Sequence, residues 1–328
     1  MSDQPAWRRV AALVFCTALA LPAISAAGVA VAAGTSRSKP ALTSAVGDLA
    51  APRVRCVART HADDDLADKM ARDIDARLRG RASVVGLFET DSLTGVTCQY
   101  HPTWHFYAAS VIKVTILSAL LRKAQEHHRQ LTRTEKSLAW LMITQSDNNA
   151  ATALWNDVGI PGMQHFLNLA GMKQTELSEA WGLTRITAHD EGLLLTLLSQ
   201  PNKVLTKPNR IYVRYLMARV IPSQRWGVPA GAPRSVRVHV KNGWLPYPVS
   251  DNWEINSLGI FTAPHRVYLM AVLTYDNPSM QYGIDTIELA AQVMHRDLNP
   301  GKHSVIPLSK PNPSWGIPDE IIRGGLSR

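Results

Sequence analysis

The sequence predicts an α+β fold in which helices flank a five-stranded antiparallel sheet and an all-helical lobe is inserted between the strands. Strand-like segments occupy residues 83–100 and return at 235–276, whereas residues 110–222 show only helical patterns. Strands from the two ends of the chain can share a core by pairing in one sheet, so the helical block must project as a second lobe. A cleft between sheet and helices follows from that arrangement.

The first part of the α/β lobe is expected over residues 56–109. Residues 61–80 form a polar amphipathic helix, whose apolar positions recur at near-helical spacing at Leu66, Met70, Ile74 and Leu78. Gly80 is a typical helix stop. Two short strands around a turn at Asp91–Gly95 then have the signature of a β-hairpin.

The second part of the α/β lobe is expected over residues 230–298. Residues 235–243, "SVRVHVKNG", alternate strictly between apolar and polar side chains, which is typical of a strand. Residues 255–276 predict two more strands joined by a short turn, and residues 283–298 predict a closing helix. Together with the hairpin, these segments supply the five strands.

Capping signals divide the all-α lobe, residues 110–229, into separate helices. Thr132 and Glu135 have the spacing of a capping box, in which each side chain bonds the other residue's backbone N–H. Gly159 and Gly171 each follow a helical pattern and predict its end.

The N-terminus predicts export. Arg8 and Arg9 precede an apolar run with no charge from Val10 to Gly34, in which small residues follow the apolar core. Residues 1–33 therefore read as a signal peptide, or as a membrane anchor if they are not removed. Residues 34–55 predict a linker, and residues 299–328 predict a Pro-rich tail on the surface. Both readings of the first segment place the protein outside the cytoplasm, secreted or attached to the cell envelope.

Of the three cysteines, Cys16 lies in the apolar N-terminal run and Cys56 and Cys98 lie in the predicted domain. An even pair outside the cytoplasm suggests one disulfide. It would tie the segment before the first helix to an early strand. Two unpaired thiols are the alternative.

The net charge of +9 and the isoelectric point near 9.6 invite a nucleic-acid reading. No zinc-finger spacing, RNP-like strand or basic helix accompanies this charge, so we expect no nucleic-acid partner. A basic surface that faces an anionic envelope polymer or membrane explains it as well, and so does a solvated surface without a partner. We expect a monomer that needs no metal or cofactor, since no metal-binding or nucleotide-binding pattern is present.

The stretch "AASVIKV", residues 108–114, places a lysine three residues after a serine in a helix that is apolar on nearly every side. Residues at this spacing share a helix face, so Ser110 and Lys113 should be neighbours. A serine hydroxyl needs a base within hydrogen-bond reach to act as a nucleophile, and burial lowers the pKa of a lysine toward that role. The alternative is a serine that caps the helix beside a lysine that reaches solvent.

The triplet Ser146-Asp147-Asn148 lies at a junction between two predicted helices. The hydroxyl of Ser146, if near Lys113, can pass a proton to a leaving group. The amide of Asn148 can hold Lys113 and bind a substrate carbonyl. All three residue types are also favoured helix N-caps, which is the structural alternative.

The triplet Lys241-Asn242-Gly243 ends the alternating strand. Lys241 on an exposed edge could bind a substrate carboxylate, and Gly243 would let another backbone approach closely. The backbone N–H of Trp244, together with that of Ser110, would then form an oxyanion hole. An ordinary strand-to-turn "NG" is the alternative.

These three motifs in this order resemble the signature of the serine β-lactamase and penicillin-binding-protein superfamily, S-x-x-K, S-D-N and K-T-G. The chain is most similar to the class A β-lactamase branch, over about residues 60–298. The resemblance implies a β-lactamase-like two-lobe fold in a hydrolase domain at 56–298. It also implies Ser110 as the acylated nucleophile, Lys113 as its base or proton relay, Ser146 as proton shuttle, Asn148 as substrate contact and Lys241 as carboxylate anchor.

The sequence departs from the family pattern at three places. Position 242 is Asn instead of Thr or Ser, and its amide is expected to donate a hydrogen bond to substrate. Ser110 and Ser146 are 146 − 110 = 36 residues apart, which is short for class A and suggests an open cleft. The E-x-x-L-N element that carries the family's deacylating glutamate is absent between Gly171 and Thr187. Glu179 is the candidate substitute base, and an ordinary surface glutamate is the alternative.

The expected activity is that of an exported serine hydrolase acting on a β-lactam or a related acyl compound that bears a carboxylate. A D,D-peptidase or esterase acting on a peptidoglycan stem uses the same motifs. So does a module that binds cell-wall peptide or traps a β-lactam with little turnover. Loss of a general base slows the step it serves by ~10²–10⁴-fold, so acylation can persist where release is slow.

Overall fold

The protein's computed structural model describes residues 54–246, 251–302 and 306–309. The expected signal or anchor segment, almost all of the linker and most of the C-terminal tail lie outside these residues. In the described part of the chain, no helix combines the length and hydropathy needed to cross a bilayer.

The strands form one large antiparallel sheet and one small pair. In chain order they are β1 (Arg55–Val57), β2 (Val84–Asp91), β3 (Thr97–Tyr100), β4 (Phe106–Tyr107), β5 (Arg185–Ile186), β6 (Arg237–Pro246), β7 (Trp253–Ala263) and β8 (Arg266–Asn277). The large sheet has the order β1-β3-β2-β8-β7-β6, so early and late strands meet at the β2–β8 pair. β4 and β5 pair separately. The α+β class with one antiparallel sheet is confirmed.

The helices pack on both faces of this sheet. They are α1 (Asp64–Leu78), α2 (Ile112–Glu126), α3 (Arg133–Thr144), α4 (Asn148–Ala170), α5 (Ala188–Ser199), α6 (Lys207–Met217) and α7 (Met280–Leu298). The predicted capping box at Thr132 and Glu135 is present. Gly159 (φ 72°) breaks α4 where the helix end was predicted, and Gly171 (φ 74°) is the left-handed cap after α4.

The sheet has six strands, one more than expected, because the three residues of β1 pair with β3. Cys56 and Cys98 lie directly opposite each other in that pair and form the expected disulfide. A second difference is β5, a strand within the lobe predicted to be all helical. Its pairing with β4 fastens the helical lobe to the segment that leads to Ser110.

Helix α2 lies at the centre of the helical lobe's core. Ile112, Ile116, Leu117 and Leu120 are fully buried among residues of the neighbouring helices. Burial of each such side chain stabilises the fold by about 1.5–3 kcal/mol relative to exposure. This packing fixes the first turn of α2, and with it the position of Lys113. The opposite face of the sheet packs against α1 and α7 in a separate apolar cluster.

Candidate active site

Ser110 lies in a single 3₁₀ turn, Ala109–Val111, between β4 and α2. Ser110 is only 5% exposed to solvent. The preceding Ala109 has φ 47°, in the left-handed region that non-glycine residues rarely adopt. Such a conformation costs on the order of 1–3 kcal/mol and persists where the surrounding structure imposes it, which is common at functional sites.

Two residues of the sheet hold this turn in place. A Cβ added to Gly243 of β6 would lie 2.7 Å from the backbone N of Ser110 and 2.9 Å from that of Val111, so only glycine fits there. Asn256 of β7, directly opposite Gly243, donates from Nδ2 to the carbonyl of Tyr107 at 2.8 Å. Asn256 is fully buried, so this hydrogen bond is protected from water.

Lys113 is fully buried one turn after Ser110. Its Nζ donates to the carbonyl oxygen of Ser146 at 2.6 Å, to the Ser146 Oγ at 3.2 Å and to the Asn148 Oδ1 at 2.7 Å. The same Nζ lies 4.8 Å from the centre of the Trp181 ring, a cation–π distance. The loop before α4 is thus bound to the first turn of α2 through the amine of Lys113.

Lys241 reaches the same hydroxyl from β6. Its Nζ donates to the Ser146 Oγ at 2.9 Å and to the carbonyl of Asn242 at 2.7 Å. Burial lowers the pKa of Lys241 to about 7, so the charged and neutral forms are both populated near neutral pH.

The Ser146 hydroxyl therefore accepts a hydrogen bond from each of two lysines. A hydroxyl has two acceptor lone pairs and one proton, so with both lone pairs engaged the proton is available for a third partner. Ser146 has φ 59°, a second left-handed non-glycine residue at this site. The arrangement can relay a proton between either lysine and a group bound beside the hydroxyl.

The expectation that Lys241 lies on an exposed edge at the end of a strand is wrong. β6 continues past Gly243 to Pro246, which pairs with Trp253 of β7, so the triplet lies inside a strand. The helical lobe covers the face of β6 toward which Lys241 points, and the residue is fully buried.

Asn242 is also placed differently from the expectation. Its Nδ2 donates to the carbonyls of Gln224 at 2.9 Å and Trp226 at 2.8 Å, and its Oδ1 accepts from the Ser257 hydroxyl at 2.6 Å. Side chains alternate along a strand, so Asn242 points away from the face that carries Lys241 and Gly243. Its amide is used in holding the segment before β6, and the expected hydrogen bond from it to substrate is not supported.

The remaining predicted residues are less closely tied to this cluster. The Trp244 side chain is buried, with its ring centre 5.8 Å from that of Trp226, on the side of β6 that carries Asn242. Its backbone directly follows Gly243 beside the Ser110 turn. Glu179 is exposed in the loop after Gly171, and its assignment as a base stays a prediction.

A family model described as the β-lactamase enzyme family matches residues 69–137 and 129–298, well over half of the chain. The chain belongs to the β-lactamase enzyme family. Membership in the β-lactamase family makes it a serine hydrolase of the β-lactamase type. Among curated proteins, no sequence matches the chain significantly.

Solved structures of the β-lactamase fold superpose on most of the chain. A β-lactamase from Sphaerobacter thermophilus is 19% identical, with a TM-score of 0.62 over 70% of this chain and 98% of that chain. PBP-A is 18% identical, with a TM-score of 0.63 over 71% and 96%. A β-lactamase from Xanthomonas campestris pv. campestris is 18% identical, with a TM-score of 0.62 over 71% and 99%. At these identities the likeness shows a shared fold.

Sequence reasoning missed Asn256, which joins the sheet to the segment before Ser110, and does not decide whether Trp181 borders the site or only packs. A signal for Asn256 was present, since an amide within the apolar run "INSLGIF" must be hydrogen-bonded if it is buried. Trp181 has no comparable signal, because its contact with Lys113 depends on the path of a loop.

Proposed function

We propose that Ser110 is the nucleophile of an exported hydrolase and becomes covalently acylated by a β-lactam or a related carboxylate-bearing acyl compound. The observation that carries the proposal is the chain of hydrogen bonds from Lys113 through the Ser146 hydroxyl to Lys241, beside the strained turn that holds Ser110. A chain of this kind supports the proposal because a serine nucleophile in the adjacent turn requires a base and a proton relay.

The chemistry follows from these positions. Lys113, when uncharged, takes the proton of the Ser110 hydroxyl as its oxygen bonds to the carbonyl carbon. The backbone N–H groups of Ser110 and Trp244 stabilise the negative oxygen that develops there. When the carbon–nitrogen bond of the substrate breaks, the leaving nitrogen takes a proton from the Ser146 hydroxyl, which is replenished from a lysine. Water then attacks the ester to release the acid and restore Ser110.

Substrate binding is assigned to the groups around this hydroxyl. The ammonium form of Lys241 attracts a substrate carboxylate through the shared Ser146 contact, and Asn148 contacts the acyl side chain. Because the Asn242 amide is occupied within the protein, the carboxylate has one donor fewer than the family motif would offer. We therefore expect weaker discrimination for a carboxylate than in relatives with Thr at this position.

A second candidate is a D,D-peptidase-like enzyme or a β-lactam-binding module that turns over slowly. The exposed position of Glu179 favours it, because a general base must approach the ester to activate water. The fold is shared with PBP-A, of which one variant was solved as an acyl-enzyme complex with penicillin G. On this reading the acyl-enzyme forms at Ser110 and persists.

Export is part of the same proposal. The uncharged segment after Arg9 supports secretion or attachment to the outer face of the cell envelope. The net charge of +9 suits a location beside anionic envelope polymers. Fractionation of cells that express the full chain, with N-terminal sequencing of the mature protein, tests this location.

Intact-mass spectrometry after mixing with benzylpenicillin, together with nitrocefin hydrolysis, tests the function. A transient adduct with nitrocefin turnover supports the β-lactamase, and a persistent adduct supports the slow module. No adduct, with ester hydrolysis that Ser110→Ala abolishes, supports the esterase or peptidase. The matched control is Ser118→Ala, since Ser118 is a buried serine of α2 whose hydroxyl bonds only its own helix, at the Val114 carbonyl. Activity that survives Ser110→Ala contradicts the proposal.

A further inference from the structure

A cavity of about 310 Å³ lies against β4, the short strand that leads to Ser110. Its lining residues are His105, Phe106, Tyr107, Arg185, Glu254 and Tyr275. Tyr107 precedes Ser110 by three residues, so their Cα atoms are at most ~11 Å apart. The cavity therefore lies close to the Ser110 turn.

Glu254 is the unusual member of this lining. The residue is 1% exposed, and neither of its carboxyl oxygens has a hydrogen-bond partner. Burial raises the pKa of Glu254 well above its usual range, and the nearby backbone N–H of Tyr107 acts in the opposite direction. Buried polar groups are nearly always paired, so an unpaired carboxyl that lines a cavity calls for a partner that enters it.

The strand register places Glu254 on the side of the sheet that faces the nucleophile. Glu254 is opposite Leu245 in the β6–β7 pair, and Asn256 is opposite Gly243 two positions along. Residues two apart on a strand share a face, so Glu254 lies on the same face as the two residues that hold the Ser110 turn. The Glu254 carboxyl thus lies on the same face of the sheet as the residues that position Ser110.

The other charged groups of the lining are already engaged. Arg185 donates to Glu176 at 2.9 Å. The His105 Nε2 lies 2.8 Å from the carbonyl of Gln174 and 3.4 Å from Glu176. Both basic side chains thus contact Glu176 rather than Glu254, and the Glu254 carboxyl is left for a ligand. The rings of Phe106, Tyr107 and Tyr275 add faces that favour a cation.

We infer that this cavity is a subsite for a primary ammonium group on the acyl side chain of the substrate, bound by the carboxylate of Glu254. The inference rests on the proposed acylation of Ser110 and narrows its substrate class to acyl donors that carry a basic side chain. When the ammonium enters, the carboxyl gives its proton to solvent and an ion pair forms in the cavity. The Glu254 carboxyl is itself buried, and a buried ion pair is stronger than an exposed one.

Paired acyl donors test the subsite: Nα-acetyl-L-lysyl-D-alanyl-D-lactate and its norleucine analogue, which differ chiefly in the terminal amine. The expected result is a rate of Ser110 acylation at least tenfold higher for the lysine compound, with a ratio that falls to within twofold of one in Glu254→Gln. Glu191→Gln is the matched control, because Glu191 is also buried with two unpaired oxygens but does not line the cavity. It should keep the wild-type ratio.

Calorimetric titration of the wild-type protein with Nα-acetyl-lysine amide and Nα-acetyl-norleucine amide makes the test independent of acylation and of the folding of any variant. Binding of the lysine amide at least tenfold tighter supports the subsite even if neither depsipeptide acylates Ser110, an outcome that would contradict only the proposed function. Equal binding of the two amides, or an acylation ratio in folded Glu254→Gln equal to that of the wild type, overturns the subsite.

Discussion

Ser146 is the residue on which the two buried lysines converge. A charged amine in a protein interior is costly unless it is paired, and here each amine is partly satisfied by oxygens of the Ser146 loop. Lys241 has its pKa lowered by burial to about 7, which makes its charge sensitive to small changes of pH.

The first prediction concerns Lys241 and stability. Between about pH 7 and the usual lysine pKa of about 10.4, the unfolded chain holds a proton that the folded protein lacks, so the free energy of unfolding should rise with pH. The slope from this one group approaches about 1.4 kcal/mol per pH unit. Below pH 7 both states are protonated and the contribution is constant.

Urea unfolding of wild type and Lys241→Met from pH 6 to pH 10 measures this slope. The difference between the two proteins cancels the groups that they share. If the free energy of unfolding has the same pH slope in both proteins, Lys241 keeps an ordinary pKa. It would then be fully charged near neutral pH, contrary to this account.

The second prediction concerns Gly243 and the contact between β6 and the Ser110 turn. Gly243→Ala places a methyl carbon against the backbone N atoms of Ser110 and Val111, which cannot move aside as a side chain would. Overpacking of this kind costs about 1–3 kcal/mol. If Ser110 is the nucleophile, its displacement by ~1 Å should lower the acylation rate on the order of 10²-fold.

The rate of adduct formation and the urea midpoint check this prediction. Gly162→Ala is the control, because its added methyl would meet only a methyl group of Val158 within a helix. An acylation rate in Gly243→Ala within threefold of the wild type would show that the tight contact does not position Ser110.

The third prediction concerns the Cys56–Cys98 disulfide, which closes a segment with a sequence separation of 42 around α1. The chain-entropy relation gives about 4 kcal/mol of stabilisation for a loop of this length. β1 and β6 lie at opposite edges of the sheet, so loss of the bridge should lower stability and leave acylation of Ser110 intact. Denaturant unfolding of the Cys56→Ser, Cys98→Ser double variant, with an acylation assay, measures both. Loss of acylation in the folded variant would contradict this independence.

The elements that local patterns specify were predictable, and those that depend on distant contacts were not. Alternation in "SVRVHVKNG" predicted β6, and the caps at Thr132 and Gly171 predicted helix ends. β1 was not predicted, because three residues are too few to show the alternation of a strand. They form one only by pairing with β3. The burial of Lys241 escaped prediction because alternation shows which residues share a face but not what covers that face.

The two-lobe architecture explains how three motifs far apart in sequence meet. The S-x-x-K serine follows a strand fastened to the helical lobe by β5, the second motif lies between two helices, and the third lies in the sheet. Sequence predicted this meeting through the family resemblance. The hydrogen bonds that occupy the Asn242 amide within the protein could not be predicted, because its partners lie in the segment before β6 and in β7.

The fourth prediction concerns release of the product by the whole enzyme. If Glu179 activates the deacylating water, Glu179→Gln should slow release by ~10²–10⁴-fold and leave the rate of acylation unchanged. Stopped-flow mixing with benzylpenicillin, followed by timed intact-mass measurement, separates the two steps. Equal lifetimes of the adduct in variant and wild type would exclude Glu179 as the base and favour the slowly releasing module.

The most direct measurement is peptide mapping after the folded, full-length protein has been labelled at neutral pH with a fluorescent penicillin. The account predicts a single labelled tryptic peptide that ends at Lys113, with the acyl group on Ser110, and no label in Ser110→Ala. A folded wild-type protein that stays unlabelled by acylating probes, or equal labelling of Ser110→Ala, would contradict it.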